Sequence, residues 1–179
     1  ANMSGTSMAS PHMAGLSALA KQYIMSDSKF ASFSEGEKIN LVSAMLMATA
    51  EPLARGEKSY YSPRQQGAGL ANIQAVASAK AYLTVEGADP AKPKAELGDG
   101  TGPFSFTFTV HNLTGDALTY TLDAAALSEE IVDGYFQQKS KNYAGNGIAI
   151  SYDGATEDGT VSVPGHGAAT VTVTITPEE

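Results

Sequence analysis

The spacing of the apolar residues changes along the chain, and this change limits the folds that the chain can adopt. Up to about residue 84 the sequence is rich in Ala, Met, Leu and Ser, and its apolar residues recur at intervals of three and four. From about Pro90 onward they alternate with polar residues, as in PFSFTFTV, where Phe104 and Phe106 flank Ser105. The first pattern is typical of helices that bury one side, and the second of strands that bury one face. We therefore expect a helical part followed by a β-rich part.

Three helices are predicted in the first part. The first runs from about Ser7 to Ile24, and the spacing of its apolar residues gives one face that consists of Met13, Leu16, Ala20 and Ile24. The second lies in SEGEKINLVSAMLMATAEPL, where Ser34 and Glu37 have the spacing of a capping box. Its apolar side is expected to consist of Ile39, Val42 and Leu46. The third is expected in ANIQAVASAKAYL, after the loop YYSPRQQGAGL.

The second part contains short alternating segments that are separated by turn residues. They are PFSFTFTV, ALTYTL, GIAISY, TVSV and ATVTVTI. Strands of this kind predict an antiparallel β-sandwich. The segment AALSEEIVDGYFQQKSKNYAGN is interpreted as a long connection with room for a helical turn. VEGADPAKP, where Gly and Pro crowd together, is interpreted as a linker between the two parts.

The composition excludes several classes of function. The 179 residues carry a net charge of -8, which argues against binding to nucleic acid or to an anionic membrane surface. The chain has no cysteine, so it forms no disulfide, thiolate metal site or cysteine nucleophile. No apolar run approaches the roughly 20 residues of a membrane-spanning helix. The sequence predicts no cofactor and no metal site.

The stretch SGTSMASPH places three small residues, Gly5, Thr6 and Ser7, before the first helix, with Pro11 expected in its first turn. Proline fits a first turn because the N–H groups there have no helical partner. The same unpaired N–H groups, together with the helix dipole, stabilise a negative charge that forms beside the Ser7 hydroxyl. On residue type alone, Thr6 or Ser7 is a helix N-cap. A capping serine and a nucleophilic serine are both compatible with this position.

The string GTSMASPH, from Gly5 to His12, resembles without a break the active-site serine motif of the subtilisin-like serine proteases. SPRQQGAGLANIQAV resembles the segment that closes the catalytic domain in the lactocepin-like cell-envelope proteinases and the complement-cleaving peptidases. AELGDGTGPFSFTFTVHNLTGDALTYTL resembles the fibronectin type III-like domain that follows in that subgroup. The resemblance implies that residues 1–87 are the carboxy-terminal helical segment of an α/β subtilisin-like catalytic domain. Residues 88–179 would then form an antiparallel β-sandwich of the fibronectin type III-like class.

The resemblance also implies a chemistry. Ser7 would be the nucleophile that attacks a polypeptide substrate and forms an acyl-enzyme. In this family the catalytic Asp and His precede the serine, as does the Asn that binds the oxyanion. Asn2 lies too close to the serine to be that Asn, and in the family motif His12 is a structural residue. His111 and His166 are expected at the surface, in or beside turns.

By this resemblance the chain carries one member of a catalytic triad, and alone it is expected to have no useful proteolytic activity. The apolar faces of its helices need a partner. The expected partner is the missing amino-terminal part of the catalytic domain, the β-rich part of the same chain, or a second copy. The parent protein is expected to be extracellular, either secreted or associated with the cell wall. The alternative is a non-catalytic β-sandwich that acts as a binding or spacer module of a cell-envelope protein.

Two polar stretches in the second part need a separate interpretation. Asp153, Glu157 and Asp158 lack the spacing of an EF-hand loop, so a solvated acidic loop is expected there and not a calcium site. Asn112-Leu113-Thr114 matches the glycosylation pattern, but a pattern this short recurs by chance.

Overall fold

The structure is a computed structural model that describes residues 5–56 and 59–178, with the backbone alone for residues 129–132 and 136–140. The helices are α1 (Thr6–Ser26), α2 (Glu35–Ala48), α3 (Pro63–Gln66) and α4 (Ile73–Ser78), and a short 3-10 helix, Ser28–Phe30, follows α1. The strands are β1 (Ala54–Gly56), β2 (Ser59–Tyr60), β3 (Ala81–Val85), β4 (Phe104–Asn112), β5 (Leu118–Thr121), β6 (Leu127–Val132), β7 (Tyr135–Asn142), β8 (Ile148–Asp153), β9 (Thr160–Val163) and β10 (Ala168–Pro177). The predicted order, helices first and antiparallel strands second, is confirmed.

The first helix is longer than predicted, and only its second half is packed. Ala20 and Ile24 have no exposed surface, and Leu16 packs against the same apolar cluster. Met13, the remaining residue of the predicted face, is 40% exposed. Residues 5–15 are all exposed. The predicted face is therefore correct for its second half only, because nothing in the described part of the chain lies against the first half.

The start of the second helix is confirmed, and its predicted apolar side is confirmed for two of its three residues. Ser34 N donates to Glu37 Oε2 at 2.8 Å, and Glu37 N donates to Ser34 Oγ at 3.3 Å, which is the predicted capping box. Leu46 is buried and Val42 packs against the same apolar cluster, whereas Ile39 is 50% exposed. The buried side also includes Leu41 and Met45, because α1 and β3 pack on this side of the helix. The prediction is therefore wrong for Ile39 alone.

The third helix is shorter than predicted, since only Ile73–Ser78 is helical. The last residues of the predicted helix belong to β3, which pairs antiparallel with β4. Tyr82 lies opposite His111, and Leu83 lies opposite Val110. Tyr and Thr favour strands, and the partner strand supplies hydrogen bonds that a local helical pattern cannot reveal. This part of the prediction is wrong because pairing with a distant strand outweighs local helix propensity.

The predicted linker connects two neighbouring strands of one sheet. Val85 is the last residue of β3, and residues 86–103 then run without helix or strand to the start of β4. β3 and β4 are adjacent and antiparallel. The segment is irregular, as its Gly and Pro content predicts, but it forms a long loop within the β-rich part.

The main sheet has four antiparallel strands in the order β3-β4-β10-β8. Strands β5 and β9 form a separate two-stranded sheet. The two sheets share one apolar cluster, in which Val161 and Val163 of β9 pack with Val110, Val171 and Val173 of the main sheet. The β-rich part is thus built around a valine-rich core between two antiparallel sheets.

The segment interpreted as a long connection with a helical turn is a β-hairpin, so that interpretation is wrong. Strands β6 and β7 pair antiparallel around a two-residue turn at Asp133 and Gly134. These residues have φ values of 52° and 79°, which is the backbone that an Asp-Gly hairpin turn requires. The Asp133-Gly134 dipeptide is the sequence signal that indicates this hairpin.

A row of five aromatic side chains joins the helices to the main sheet. The ring centroids of Tyr23 and Phe30 lie 6.0 Å apart, those of Phe30 and Phe33 6.1 Å, and those of Phe33 and Tyr82 5.8 Å. The Tyr82 ring then stacks on His111 of β4 at 4.6 Å. Edge-to-face pairs of this kind each add about 0.5–1.5 kcal/mol beyond the burial of their surface. This aromatic row fastens the helical part to the outer side of β3 and β4.

We predict that Phe30→Ala lowers the free energy of unfolding by about 3–5 kcal/mol, because Phe30 is fully buried and contacts an aromatic ring on either side. Urea unfolding followed by circular dichroism measures this change. Tyr135→Ala is the matched control, since Tyr135 is 76% exposed, and its effect should stay within about 0.5 kcal/mol. Equal effects of the two substitutions would contradict the role given to the aromatic row.

Candidate functional site

Ser7 lies at the start of the longest helix of the described chain. It is the second residue of α1, and its side chain is exposed. The N-cap is Gly5, with φ 141° and ψ 168°, and no side chain caps this end. The interpretation of Thr6 or Ser7 as an N-cap is therefore wrong. The Ser7 hydroxyl makes no capping bond and is open to solvent.

At this helix start, the backbone N–H groups of two residues, Thr6 and Ser7, differ from those that follow. Met8 N and Ala9 N both donate to the carbonyl oxygen of Gly5, at 3.0 and 3.1 Å. Within the described residues, the N–H groups of Thr6 and Ser7 have no backbone acceptor. They lie at the positive end of the dipole of a 21-residue helix. An oxyanion that forms at a carbon bonded to Ser7 Oγ would find such donors beside it.

Pro11 lies farther into the helix than predicted. It is the sixth residue of α1, in the second turn, so its expected place in the first turn is wrong. Proline has no N–H, and the residue four positions earlier is Ser7. The Ser7 carbonyl consequently lacks the donor that an α-helix would normally give it. The backbone of α1 is therefore held by one hydrogen bond fewer at Ser7, whose hydroxyl is exposed.

None of the three histidines of the chain makes a hydrogen bond to Ser7 within the described structure. His12 is exposed and follows Ser7 by five residues, which places it about 140° farther around the helix axis. His166 is exposed, as predicted. His111 is half-buried within β4, stacks on Tyr82, and shares a hydrogen bond of 2.8 Å with Thr84 Oγ1. The expectation that His111 lies at the surface beside a turn is therefore correct only in part, because the residue adjoins the turn after β4 but its ring is half-buried. Asn2 lies outside the described residues.

The helix surface that carries Ser7 is open, and both polar and apolar side chains are exposed along it. Met8 is 43% exposed, Met13 40% and Leu19 51%, all on α1. No described segment covers the first half of this helix. A serine at this surface has helix N–H groups beside it, but among the described residues it has neither a base nor a wall that excludes water.

The glycosylation pattern at Asn112 has a structural explanation. Asn112 is 5% exposed, and its Nδ2 donates to the carbonyl oxygens of Asp116, Val163 and Pro164, at 2.8, 3.4 and 3.1 Å. Its Oδ1 accepts from both the N and Oγ1 of Thr114, at 2.8 Å each. A buried amide with this set of partners is not open to a glycan-transferring enzyme. Asn112 closes the turn after β4.

In the acidic loop, the carboxylate of Asp158 accepts hydrogen bonds from neighbouring residues of the chain. Asp158 accepts hydrogen bonds from the hydroxyl of Thr156 and from Thr160 N, the second at 3.2 Å. These bonds, above all the one from Thr156, lower the pKa of the Asp158 carboxyl. In the described part of the chain, no group of three or more His, Cys, Asp or Glu side chains is placed to hold a metal ion. No described helix has the length and hydropathy that a membrane span requires.

Comparison with known proteins places most of this chain within a peptidase family. Residues 1–101, which include Ser7 and its helix, match the model of the Subtilase family. A C5a peptidase of Streptococcus pyogenes is 29% identical over 177 residues, which cover 98% of this chain and 14% of that protein. A PII-type proteinase of Lactococcus lactis subsp. cremoris is 38% identical over 135 residues, which cover 69% of this chain and 7% of that protein. The chain thus spans a small part of the length of these relatives.

We predict that Pro11→Ala makes the first half of α1 more stable, because alanine supplies the N–H that the Ser7 carbonyl lacks. The gain is expected to approach about 3 kcal/mol, the usual cost of an interior proline. Amide hydrogen exchange of residues 6–16 should become slower. Ser10→Ala is the control, because it adds no backbone donor, and its exchange rates should remain near those of the unmodified chain. Equal exchange in Pro11→Ala and Ser10→Ala would contradict this account.

We predict that His111 makes the stability of the protein depend on pH. Burial lowers the pKa of His111 below its ordinary value of 6.5, so the unfolded chain takes up this proton more readily than the folded chain. The stability that comes from neutral His111 is complete above pH 6.5 and is lost as the pH falls toward the folded pKa. Urea unfolding between pH 7.5 and 5 should show a smaller loss in His111→Gln than in the unmodified chain. His166→Gln, which changes an exposed ring, should keep the original slope.

Proposed function

The chain belongs to the subtilase family, and from this membership we propose that it is the carboxy-terminal part of the catalytic domain of a subtilisin-like serine endopeptidase, joined to a second domain. In this proposal residues 1–87 form the catalytic segment and residues 88–179 the second domain, and β3 at the end of the catalytic segment pairs with β4 of the second domain. The observation that carries the proposal is the exposed Ser7 hydroxyl at the start of a 21-residue helix, next to backbone N–H groups that have no backbone acceptor among the described residues.

In the proposed mechanism, Ser7 attacks the carbonyl carbon of a peptide bond in a polypeptide substrate. A base removes the hydroxyl proton as the Oγ–C bond forms, and the Ser7 N–H donates to the resulting oxyanion. The collapse of this intermediate expels the amine, which takes the proton, and leaves an acyl-enzyme that water hydrolyses. The base, the Asp that orients it and the Asn of the oxyanion hole come from the part of the catalytic domain that precedes Ser7 in the family.

By itself the chain is proposed to be inactive. A serine without a base is a weak nucleophile, and loss of the base removes most of the effect of a catalytic triad. The exposed apolar residues of α1, namely Met8, Met13 and Leu19, are proposed to pack against the amino-terminal part of the catalytic domain. In its absence they favour self-association.

The β-rich part is proposed to be a fibronectin type III-like sandwich. In support of this, two antiparallel sheets enclose one valine-rich cluster, and short strands alternate between buried and exposed residues. Relatives named C5a peptidase and PII-type proteinase favour an extracellular parent, secreted or attached to the cell wall. The names of these relatives describe their own activities and assign no substrate to this protein.

The proposal is tested by labelling with a fluorophosphonate, which reacts only with a serine that a base activates. Intact mass under native and denaturing conditions first establishes whether a second polypeptide accompanies the 18.5 kDa chain. The chain alone should remain unlabelled. Together with the amino-terminal part of the catalytic domain, it should be labelled in the tryptic peptide that ends at Lys21.

Two substitutions assign the label to one hydroxyl. Ser7→Ala should abolish labelling, whereas Ser10→Ala, three residues farther along the same exposed helix segment, should keep it. Labelling of the isolated chain at Ser7 would overturn the proposed inactivity. Persistent labelling of a complete Ser7→Ala protein on this peptide would overturn the role of Ser7.

A further inference from the structure

An apolar cavity lies where the helical part meets the two sheets. Its volume is about 470 Å³, and it is lined by the end of α2, by α4 and by strands β3, β4 and β5. This volume falls within the range of pockets that hold small organic ligands. The cavity opens to solvent at one side of the valine-rich core and lies apart from the surface of α1 around Ser7.

The cavity exists because its two walls carry side chains of different size. On the helical wall the side chains are small, with Ala48, Ala75 and Ala79 among them. On the sheet wall they are large and apolar, and they include Leu83 and Phe108. Small residues opposite large ones leave a space that neither wall fills, although the adjoining cores are closely packed. An apolar occupant of this space would remove the apolar surface of both walls from water.

Polar side chains also line this mainly apolar space, namely the hydroxyl residues Thr49, Ser78, Tyr120 and Thr121, and Lys80. Lys80 is exposed and, among the described residues that line the cavity, is the only charged one. It takes part in no ion pair within the described structure, although the chain as a whole carries a net charge of -8. Tyr120, which is 37% exposed, adds a hydroxyl, and partial burial raises the pKa of that group. A lone cation beside an apolar cavity complements an apolar molecule with one negative charge.

We propose that this cavity binds an apolar monocarboxylate of the fatty-acid class, with its hydrocarbon chain between the helical wall and the sheet wall and its carboxylate at Lys80. The hydrocarbon chain gains free energy by leaving water. The carboxylate stays at the rim, where Lys80 is still hydrated, so its desolvation is small. This site is independent of Ser7 and of any peptidase activity.

The test is a titration of the chain with decanoate, followed by isothermal titration calorimetry and by the NMR signals of the alanine methyl groups. Saturable binding is expected, with the largest shifts at Ala75 and Ala79. Ala75→Leu fills the cavity from an interior position of α4 and should weaken binding by at least about tenfold. Ala48→Leu fills it from α2 and gives a second, independent variant.

The contribution of the charge is measured separately. Lys80→Gln should weaken decanoate binding by about fivefold, which is the effect expected from the loss of one exposed ion pair. It should leave the binding of decanol unchanged, because decanol carries no charge. Lys92→Gln is the matched control, because Lys92 is an exposed lysine outside this cavity and should have no effect. Non-saturable binding of decanoate, or unchanged binding in a folded Ala75→Leu or Ala48→Leu chain, would overturn the site. Equal effects of Lys80→Gln on decanoate and decanol would overturn the assignment of the carboxylate.

Discussion

The rest of the structure depends on the contact between the aromatic row and the edge of the main sheet. The two-stranded sheet β1-β2 of the helical part contributes no residue to the apolar cluster of the helices, and that cluster is completed by Leu113 and Tyr82 from the β-rich part. The row begins on α1 at Tyr23 and ends at His111, which is fixed by its stack on Tyr82 and its hydrogen bond to Thr84. Because β3 pairs with β4, the sheet that anchors the helices is also the sheet that encloses the valine-rich core. Loss of this contact would separate the two parts and open the cavity between them.

Local signals in the sequence predicted local structure well. The capping box at Ser34 and Glu37 and the alternation from Phe104 to Val110 were both found where they were expected, since each depends on residues a few positions apart. Other predictions failed where a distant segment decides the outcome. Leu83 lies in a strand because β4 pairs with it, and Ile39 is exposed because α1 and β3 pack against the opposite side of its helix. The hairpin at Asp133 and Gly134 is a different case, because the Asp-Gly turn signal is local and by itself indicates a hairpin.

The motif predicts that Ser7 lies at a helix start. It does not predict the hydrogen bonding of the backbone groups around Ser7. The N–H groups without a backbone acceptor and the missing donor for the Ser7 carbonyl depend on where α1 begins, and so on the backbone of Gly5 and the place of Pro11 in the second turn. The burial of His111 depends on Tyr82, which is 29 positions away in sequence, and periodicity within one strand cannot reveal such a contact. The cavity could not be predicted from the sequence either. It arises where small residues on two helices face large ones on three strands.

Under the proposed function, the exposure of α1 and the lack of a base beside Ser7 among the described residues are one physical problem. The N–H groups beside Ser7 stabilise an oxyanion strongly only where water is excluded, because water screens their dipoles and competes for the same acceptor. On the described surface these donors are open to solvent, as are Met8 and Met13 along the same helix. A base delivered to Ser7 without a covering surface would therefore give a weak catalyst, and a covering surface without a base would give none. A single polypeptide that supplies both the base and the covering surface would bury the first half of α1. It would thereby complete the packing of the helix and the chemistry proposed for Ser7.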